Sequence, residues 1–175
     1  GLTLLGSKWQ DAAEGTPRHC ILQGKVNERV GVDGHSYAIQ FELRLPETWN
    51  GRFLHQVNGG NDGVVVPALG DKPDGLVGGG VTPLARGFVT YGTDSGHETR
   101  QGEPPQVFAL NDEAFVNFAH RAYKKVRDAA VGLMERAYGK KPDKMYFMGS
   151  SEGGREGLTM AQRYPDDFDG IFARV

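Results

Sequence analysis

The chain has 175 residues, with 20 basic and 22 acidic side chains and a formal net charge of −2. This length can bury a hydrophobic core without disulfides, and so balanced a charge favours neither a nucleic-acid partner nor a membrane surface. No apolar run approaches the roughly 18 residues of a transmembrane helix, and segment 1–6 is too short for a signal peptide and lacks its basic flank. We therefore expect one α/β domain, or a piece of a larger one, over residues 1–175.

The first half of the sequence predicts antiparallel strands. Residues 18–30 and 35–45 are β-type segments, and the Asp-Gly pair between them suits a hairpin turn at 31–34. Apolar residues alternate in the second segment, which indicates a half-buried strand. The later elements of this half are predicted as a third strand at 52–57, a glycine-rich loop at 58–63, a short helix near 82–86, a fourth strand at 87–91 and a polar loop at 92–97.

The second half predicts helices that alternate with strands. Apolar side chains recur at three- and four-residue steps over 112–138, Asn111 or Asp112 can cap this helix, and Gly139 can end it. A strand at 144–148, a helix at 153–164 and a strand at 169–175 follow. Antiparallel strands first and strand–helix alternation afterwards is the order of an α/β-hydrolase fold with a mixed, mostly parallel sheet.

Ser151 is the strongest candidate for a reactive residue. It is the serine of a Gly-x-Ser-x-Gly stretch, 149–153, placed between the strand at 144–148 and the helix that follows. Such a nucleophile elbow needs glycines on both sides because the turn is crowded and the serine is held in a strained conformation. The sequence therefore predicts Ser151 as a nucleophile.

The same fold predicts an oxyanion hole made of two backbone N–H groups. One donor belongs to the residue after the nucleophile, Glu152, and the other to the loop after the third predicted strand, where Gly59 and Gly60 lie. Glycines let the backbone approach a tetrahedral intermediate closely. The alternative is that 58–63 is only a flexible turn.

An ordered series of motifs resembles the tannase and feruloyl esterase family, and within it the mono(hydroxyethyl) terephthalate hydrolase branch. The motifs are Arg18-His19-Cys20, Gly31-Val32-Asp33-Gly34, Trp49-Asn50-Gly51-Arg52-Phe53, Gly59-Gly60, Thr93-Asp94-Ser95-Gly96-His97, Tyr146 through Gly157, Gln162-Arg163-Tyr164-Pro165 and Phe168-Asp169-Gly170. The resemblance implies a secreted or periplasmic serine esterase that cleaves small-molecule esters of aromatic acids. It assigns the nucleophile to Ser151 and the oxyanion N–H groups to Gly60 and Glu152.

The chain departs from the family pattern in three ways. The family usually has a cysteine before the nucleophile, bridged to a cysteine beside the catalytic histidine, where this chain has Ser150. The family order is serine, aspartate, histidine, yet all five histidines precede Ser151. Cys20 is the only cysteine, so it is either free or paired with a residue before Gly1.

These departures indicate the N-terminal part of a catalytic domain, with the triad aspartate and histidine on further sequence or on another chain. The family's lid, with its structural calcium site, would also follow Val175, so we assign no metal ligand and no cofactor to this chain. The alternative function is a catalytically inactive fragment or binding domain of the same fold.

Three further residues have competing interpretations. His97 follows the fourth predicted strand and is either a rival base or a residue that lines the pocket with Gly59. The resemblance favours the pocket-lining role. Asp94 is more typical of a loop-shaping carboxylate than of a triad acid. Arg155 opposes the helix dipole in the first turn, which indicates a buried ion pair or a contact near the pocket, with Glu156 or Asp169 as candidate partners.

Overall fold

The computed structural model describes residues 1–57, 59–65, 67–69 and 81–174. Within these ranges, seven strands form one sheet in the order β1-β2-β3-β5-β4-β6-β7. The strands are β1 (Leu2–Gln10), β2 (His19–Val30), β3 (Ser36–Pro46), β4 (Arg52–Gln56), β5 (Val89–Thr93), β6 (Lys144–Ser150) and β7 (Gly170–Arg174).

The sheet has an antiparallel half and a parallel half. β1, β2 and β3 pair as antiparallel neighbours, and β3 pairs antiparallel with β5. β4 then pairs in parallel with both β5 and β6, and β6 pairs in parallel with β7. The predicted hairpin turn is confirmed, because the Gly31 N–H donates to the His35 carbonyl at 2.7 Å and Gly34 has φ +80°. This mixed sheet confirms the predicted α/β-hydrolase fold.

The helices supply the other layer of the core. They are α1 (Asp112–Val116), a π-helical turn (Asn117–Arg121), α2 (Ala122–Tyr138) and α3 (Glu152–Arg163), preceded by a 3₁₀ turn (Val107–Leu110). Val126, Ala130 and Met134 of α2 and Met160 of α3 are buried in one cluster with the apolar side chains of the strands. Within the described residues, no helix has both the length and the apolar character needed to cross a bilayer.

The long predicted helix is confirmed in extent, with an interruption. The Asn111 side chain accepts a hydrogen bond from the Ala114 N–H at 3.0 Å, and Gly139 ends α2 in the left-handed conformation at φ +73°. The π-helical turn between α1 and α2 was not predicted, because hydrophobic spacing does not distinguish one wider turn from a regular one.

Two predictions of secondary structure were wrong or incomplete. Residues 82–86 form successive turns instead of a short helix, with the Arg86 N–H donating to both Thr82 and Pro83 carbonyls. β1 was not predicted, because every one of its residues is exposed and it pairs only with β2, so it lacks the apolar alternation of a half-buried strand. Val175, predicted at the end of the last strand, lies outside the described residues.

Candidate active site

Ser151 occupies the sharp turn between β6 and α3. Its backbone has φ 57° and ψ −122°, a conformation that residues other than glycine rarely adopt, and its side chain is exposed. A hydrogen bond to the neighbouring strand β7 holds the turn, since the Ser151 N–H donates to the Arg174 carbonyl at 2.7 Å. A strained, exposed serine between a strand and a helix is the local geometry of a nucleophile elbow.

Gly149, the first glycine of the motif, is required by a close approach of backbone to backbone. A Cβ placed on Gly149 would lie 2.1 Å from the carbonyl oxygen of Gly153 and 2.3 Å from its carbonyl carbon. No side chain rearrangement can relieve this contact, since the obstructing atoms belong to the first turn of α3. The first glycine of the motif therefore sets how tightly the chain reverses at Ser151.

The glycine loop, defined here as Gly59–Gly63, lies beside the elbow. A Cβ on Gly59 would come within 3.6 Å of the Ser151 Cβ and 4.0 Å of its Oγ. Gly60 is exposed and has φ +71°. The two segments meet because β4 and β6 are parallel neighbours whose carboxyl ends share one edge of the sheet. Asn58, the first residue of the predicted loop, lies outside the described residues.

Glu152 is the first residue of α3, so its backbone N–H is one of the donors that a helix start leaves without a helical partner. Its carboxylate accepts a hydrogen bond from Arg155 Nε at 2.6 Å. Arg155 also donates to the carbonyls of Phe118 and Ala119 in the π-helical turn, at 3.2 and 3.0 Å. The predicted ion pair of Arg155 exists, but the candidate partners were wrong, since the carboxylate that it contacts is Glu152.

The polar loop after β5 is shaped by Asp94. Its Oδ1 accepts hydrogen bonds from the backbone N–H groups of Gln40 at 3.0 Å and Gly96 at 2.9 Å, which confirms the loop-shaping interpretation. His97 in the same loop is buried, with its ring stacked on Phe108 at a centroid distance of 3.5 Å. Burial lowers the pKa of His97 to about 4, so the ring is neutral at physiological pH.

The other four histidines are held away from the elbow. His55 is fully buried in the core, where its Nδ1 lies 2.7 Å from the hydroxyl of Tyr91. His120 contacts Tyr164, His19 lies between the Pro17 carbonyl and Arg44, and His35 is at the exposed hairpin. None of these contacts prepares a histidine to take a proton from Ser151.

Two aspartates that follow Ser151 in the chain, and the cysteine, lie away from the elbow. Asp167 pairs with Lys124 at 3.1 Å, and Asp169 accepts from the Met145 N–H at 2.8 Å, both beyond the far end of α3. Cys20 lies on β2 and forms no disulfide within the described residues. In the parts of the chain that the structure describes, no group of three or more His, Cys, Asp or Glu side chains is arranged to hold a metal ion.

One cluster of polar side chains near the site was not predicted from the sequence. Asp62, Ser95, Tyr123 and Glu156 come from four separate segments and meet beneath the elbow. From the sequence, Glu156 is only a candidate partner of Arg155. The one available signal is a charged residue, Glu156, among the glycines at the start of a helix that begins at the nucleophile.

A mixed sheet with this strand order, and a strained serine at the turn from the parallel strand β6 into a helix, define an α/β-hydrolase. A sequence profile described as tannase and feruloyl esterase matches residues 24–175. The chain belongs to this family.

Similar proteins and structures cover nearly all of the chain. It is 38% identical to mono(2-hydroxyethyl) terephthalate hydrolase of Piscinibacter sakaiensis over 176 residues, which is 94% of this chain and 29% of that protein. It is 35% identical to a probable feruloyl esterase B-2 of Aspergillus flavus over 172 residues, 98% of this chain and 30% of that protein. The crystal structure of feruloyl esterase B from Aspergillus oryzae superposes with a TM-score of 0.76 at 27% identity, covering 98% of this chain and 33% of that one. The chain thus spans about a third of the length of these relatives.

Proposed function

We propose that the protein is a carboxylic ester hydrolase for small-molecule esters of aromatic acids, with Ser151 as the nucleophile. The observation that carries the proposal is the strained elbow at Ser151, with Gly59 only an ordinary contact distance from its side chain. In the proposed reaction, Ser151 Oγ attacks the ester carbonyl, the alcohol leaves, and water then hydrolyses the acyl-enzyme.

The oxyanion formed by that attack would be stabilised by the backbone N–H groups of Glu152 and Gly60. Glu152 starts α3, where the helix dipole also favours negative charge. Gly60 lies one residue beyond the glycine that adjoins Ser151. Removing one such donor costs about 10²–10³-fold in kcat in other hydrolases, so the placement of this loop matters for the rate.

We propose that the triad acid and base lie outside residues 1–175. The buried His97 stacks on Phe108, and its pKa of about 4 makes it a poor proton acceptor at neutral pH. The calcium site that the resemblance implies would belong to a lid outside this chain, so no residue here is proposed as its ligand.

The matched relatives support an aromatic acyl group, since they include a terephthalate-ester hydrolase and a probable feruloyl esterase. The secreted or periplasmic location is proposed on the motif resemblance alone. The competing proposal, an inactive fragment or binding domain, is less well supported. A backbone strained at one exposed serine costs about 1–3 kcal/mol, and a domain that only binds would have no use for it.

The test uses the full-length protein and two serine variants. Ser151→Ala should abolish both p-nitrophenyl ester hydrolysis and labelling by a fluorophosphonate. The adjacent Ser150→Ala, our matched control, should keep both. Hydrolysis that survives in Ser151→Ala would refute the assignment, and a folded parent that neither hydrolyses nor becomes labelled would favour the inactive alternative.

A further inference from the structure

A buried hydrogen-bond network connects the glycine loop to the elbow helix. Glu156, on α3 and 0% exposed, lies 2.6 Å from the Tyr123 hydroxyl of α2 and 3.4 Å from the Ser95 hydroxyl. Ser95 also donates to Asp62 of the glycine loop. The network therefore joins the segment that carries Gly60 to the helix that begins beside Ser151.

The Tyr123 hydroxyl has two short contacts but only one hydrogen, and this bears on where the network holds its protons. Its oxygen lies 2.6 Å from the Phe118 carbonyl oxygen and 2.6 Å from Glu156 Oε1. A phenol has one hydrogen, and a carbonyl can only accept, so the Tyr123 hydrogen belongs to the contact with Phe118. The equally short contact with Glu156 then requires a hydrogen on the carboxyl group, which donates to the tyrosine oxygen.

The second carboxyl of the network leads to the same conclusion. Asp62 Oδ1 and Glu156 Oε2 are both buried without a donor among the described residues, and the two carboxyl groups are close enough to share a hydrogen bond if one of them is protonated. Two carboxylates around one serine hydroxyl, away from water, cannot both ionise without a large cost. Burial, and then the charge of Asp62, raise the pKa of Glu156 well above its ordinary value.

We propose that Glu156 is protonated at neutral pH and acts as a positioning residue, holding the glycine loop at the nucleophile elbow through Ser95 and Asp62. The inference rests on the proposed esterase function for its catalytic consequence, and its structural part stands without it. When Glu156 loses its proton, a second negative charge develops against Asp62 and the donor to Tyr123 disappears. Asp62 then moves away, and Gly60, two residues earlier, moves with it.

The glycine loop has a second attachment that defines the direction of this movement. The Gly63 N–H donates to the Asp94 carbonyl at 3.1 Å, and the Thr99 N–H donates to the Gly63 carbonyl at 2.9 Å. The Gly63 end of the loop is thus fixed to the loop after β5, whereas the end at Gly59 and Gly60 is exposed. Repulsion at Asp62 displaces the end that bears the proposed oxyanion donor.

Several other titratable groups face this network. They are Asp94 on the loop after β5, Tyr91 on β5, Tyr123 on α2, and Glu152 and Arg155 on α3. Arg155 donates to the Tyr123 oxygen at 3.3 Å, which leaves that oxygen still able to accept from Glu156. The charge of Arg155 is already paired with the Glu152 carboxylate, so it does not offset a second negative charge beside Asp62.

The decisive variant is Glu156→Gln in the full-length protein, because the amide also donates to Tyr123 but cannot ionise. We expect Glu156→Gln to keep the parental kcat at neutral pH. We expect kcat to fall at alkaline pH in the parent, where Glu156 loses its proton, and to fall less in this variant. Glu156→Ala should lower kcat by about tenfold or more with little change in KM, since a displacement of about 1 Å can cost 10²-fold. Glu135→Gln, at an exposed position of α2, is the matched control and should keep the parental pH profile.

Two measurements test the inference without any activity. The infrared band of a protonated carboxyl should be present in the parent at neutral pH and absent in Glu156→Gln, and amide exchange at Gly59–Gly63 should be faster in the parent than in this variant at alkaline pH. No band, or equal exchange and equal pH profiles in the two proteins, would overturn the proposal. If both measurements agree with it while the parent hydrolyses no ester, the proposed function fails and the inference does not.

Discussion

Replacing Gly149 by alanine should open the elbow, and the size of the effect follows from the backbone contacts around it. The new Cβ would meet the Gly153 carbonyl oxygen at 2.1 Å, more than 1 Å inside ordinary contact, so α3 must shift relative to β6. Overpacking of this kind costs about 3 kcal/mol, or about 6–12 °C in the melting temperature of a domain of this size. A shift of about 1 Å at Ser151 should also reduce the rate of fluorophosphonate labelling about 10²-fold.

Gly132→Ala is the matched control for this prediction. Gly132 lies within α2, where an added Cβ would have no neighbour within 4 Å, so the variant should be stabilised by about 0.5–1 kcal/mol. The assay is a thermal melt of the parent and both variants, followed by labelling at a temperature where all are folded. If Gly149→Ala melts with the parent and is labelled at the parental rate, the steric explanation of the elbow is refuted.

Two further predictions concern side chains behind the site. The pKa of His97 in the folded protein, about 4, lies below the ordinary 6.5, so the folded state prefers the neutral ring. The free energy of unfolding should therefore decrease by at most about 3 kcal/mol as the pH falls from 6.5 to 4, because the unfolded chain takes up the proton first. His97→Phe should retain the stacking on Phe108 and lack this acid-dependent loss in urea denaturation; identical pH dependence in both proteins would contradict the assignment. Arg155→Ala should lose about 2 kcal/mol, because the Ala119 carbonyl loses its side-chain donor and the Phe118 carbonyl keeps only that of Tyr123. Arg155→Lys should not restore this stability, since one ammonium cannot reproduce the fork. A lysine variant that melts with the parent would show that charge alone suffices.

The parts of the fold that could be predicted from the sequence are those encoded locally. The hairpin at 31–34, the cap at Asn111 and the end at Gly139 each depend on a residue type whose backbone or side-chain preference acts within a few positions. The elbow belongs to this group as well, because its serine and two glycines are adjacent in the chain. β1 could not be predicted, since an exposed edge strand is specified by its partner β2 more than by its own pattern.

The protonated network beneath the elbow illustrates what sequence reasoning could not reach. Asp62, Ser95 and Glu156 are separated by dozens of residues, and none of them belongs to a motif that predicts the others. Their meeting follows from the sheet order, which brings the loops after β4 and β5 to the start of α3. The π-helical turn is similar, because two of its carbonyls accept hydrogen bonds from Arg155, which arrives from the distant helix α3.

The position of β4 between β5 and β6 has a consequence for how this chain folds. β1, β2 and β3 pair with their sequence neighbours, so their ladders can close early through short loops, whereas His55 of β4 must find Phe147 of β6 far along the chain. Contacts of such long range form slowly because the intervening segment must first be ordered. We expect the antiparallel strands β1, β2 and β3 to pair before the parallel strands do during refolding. On that order of events, the left-handed conformer of Ser151 is imposed last, by a scaffold that has already closed around it.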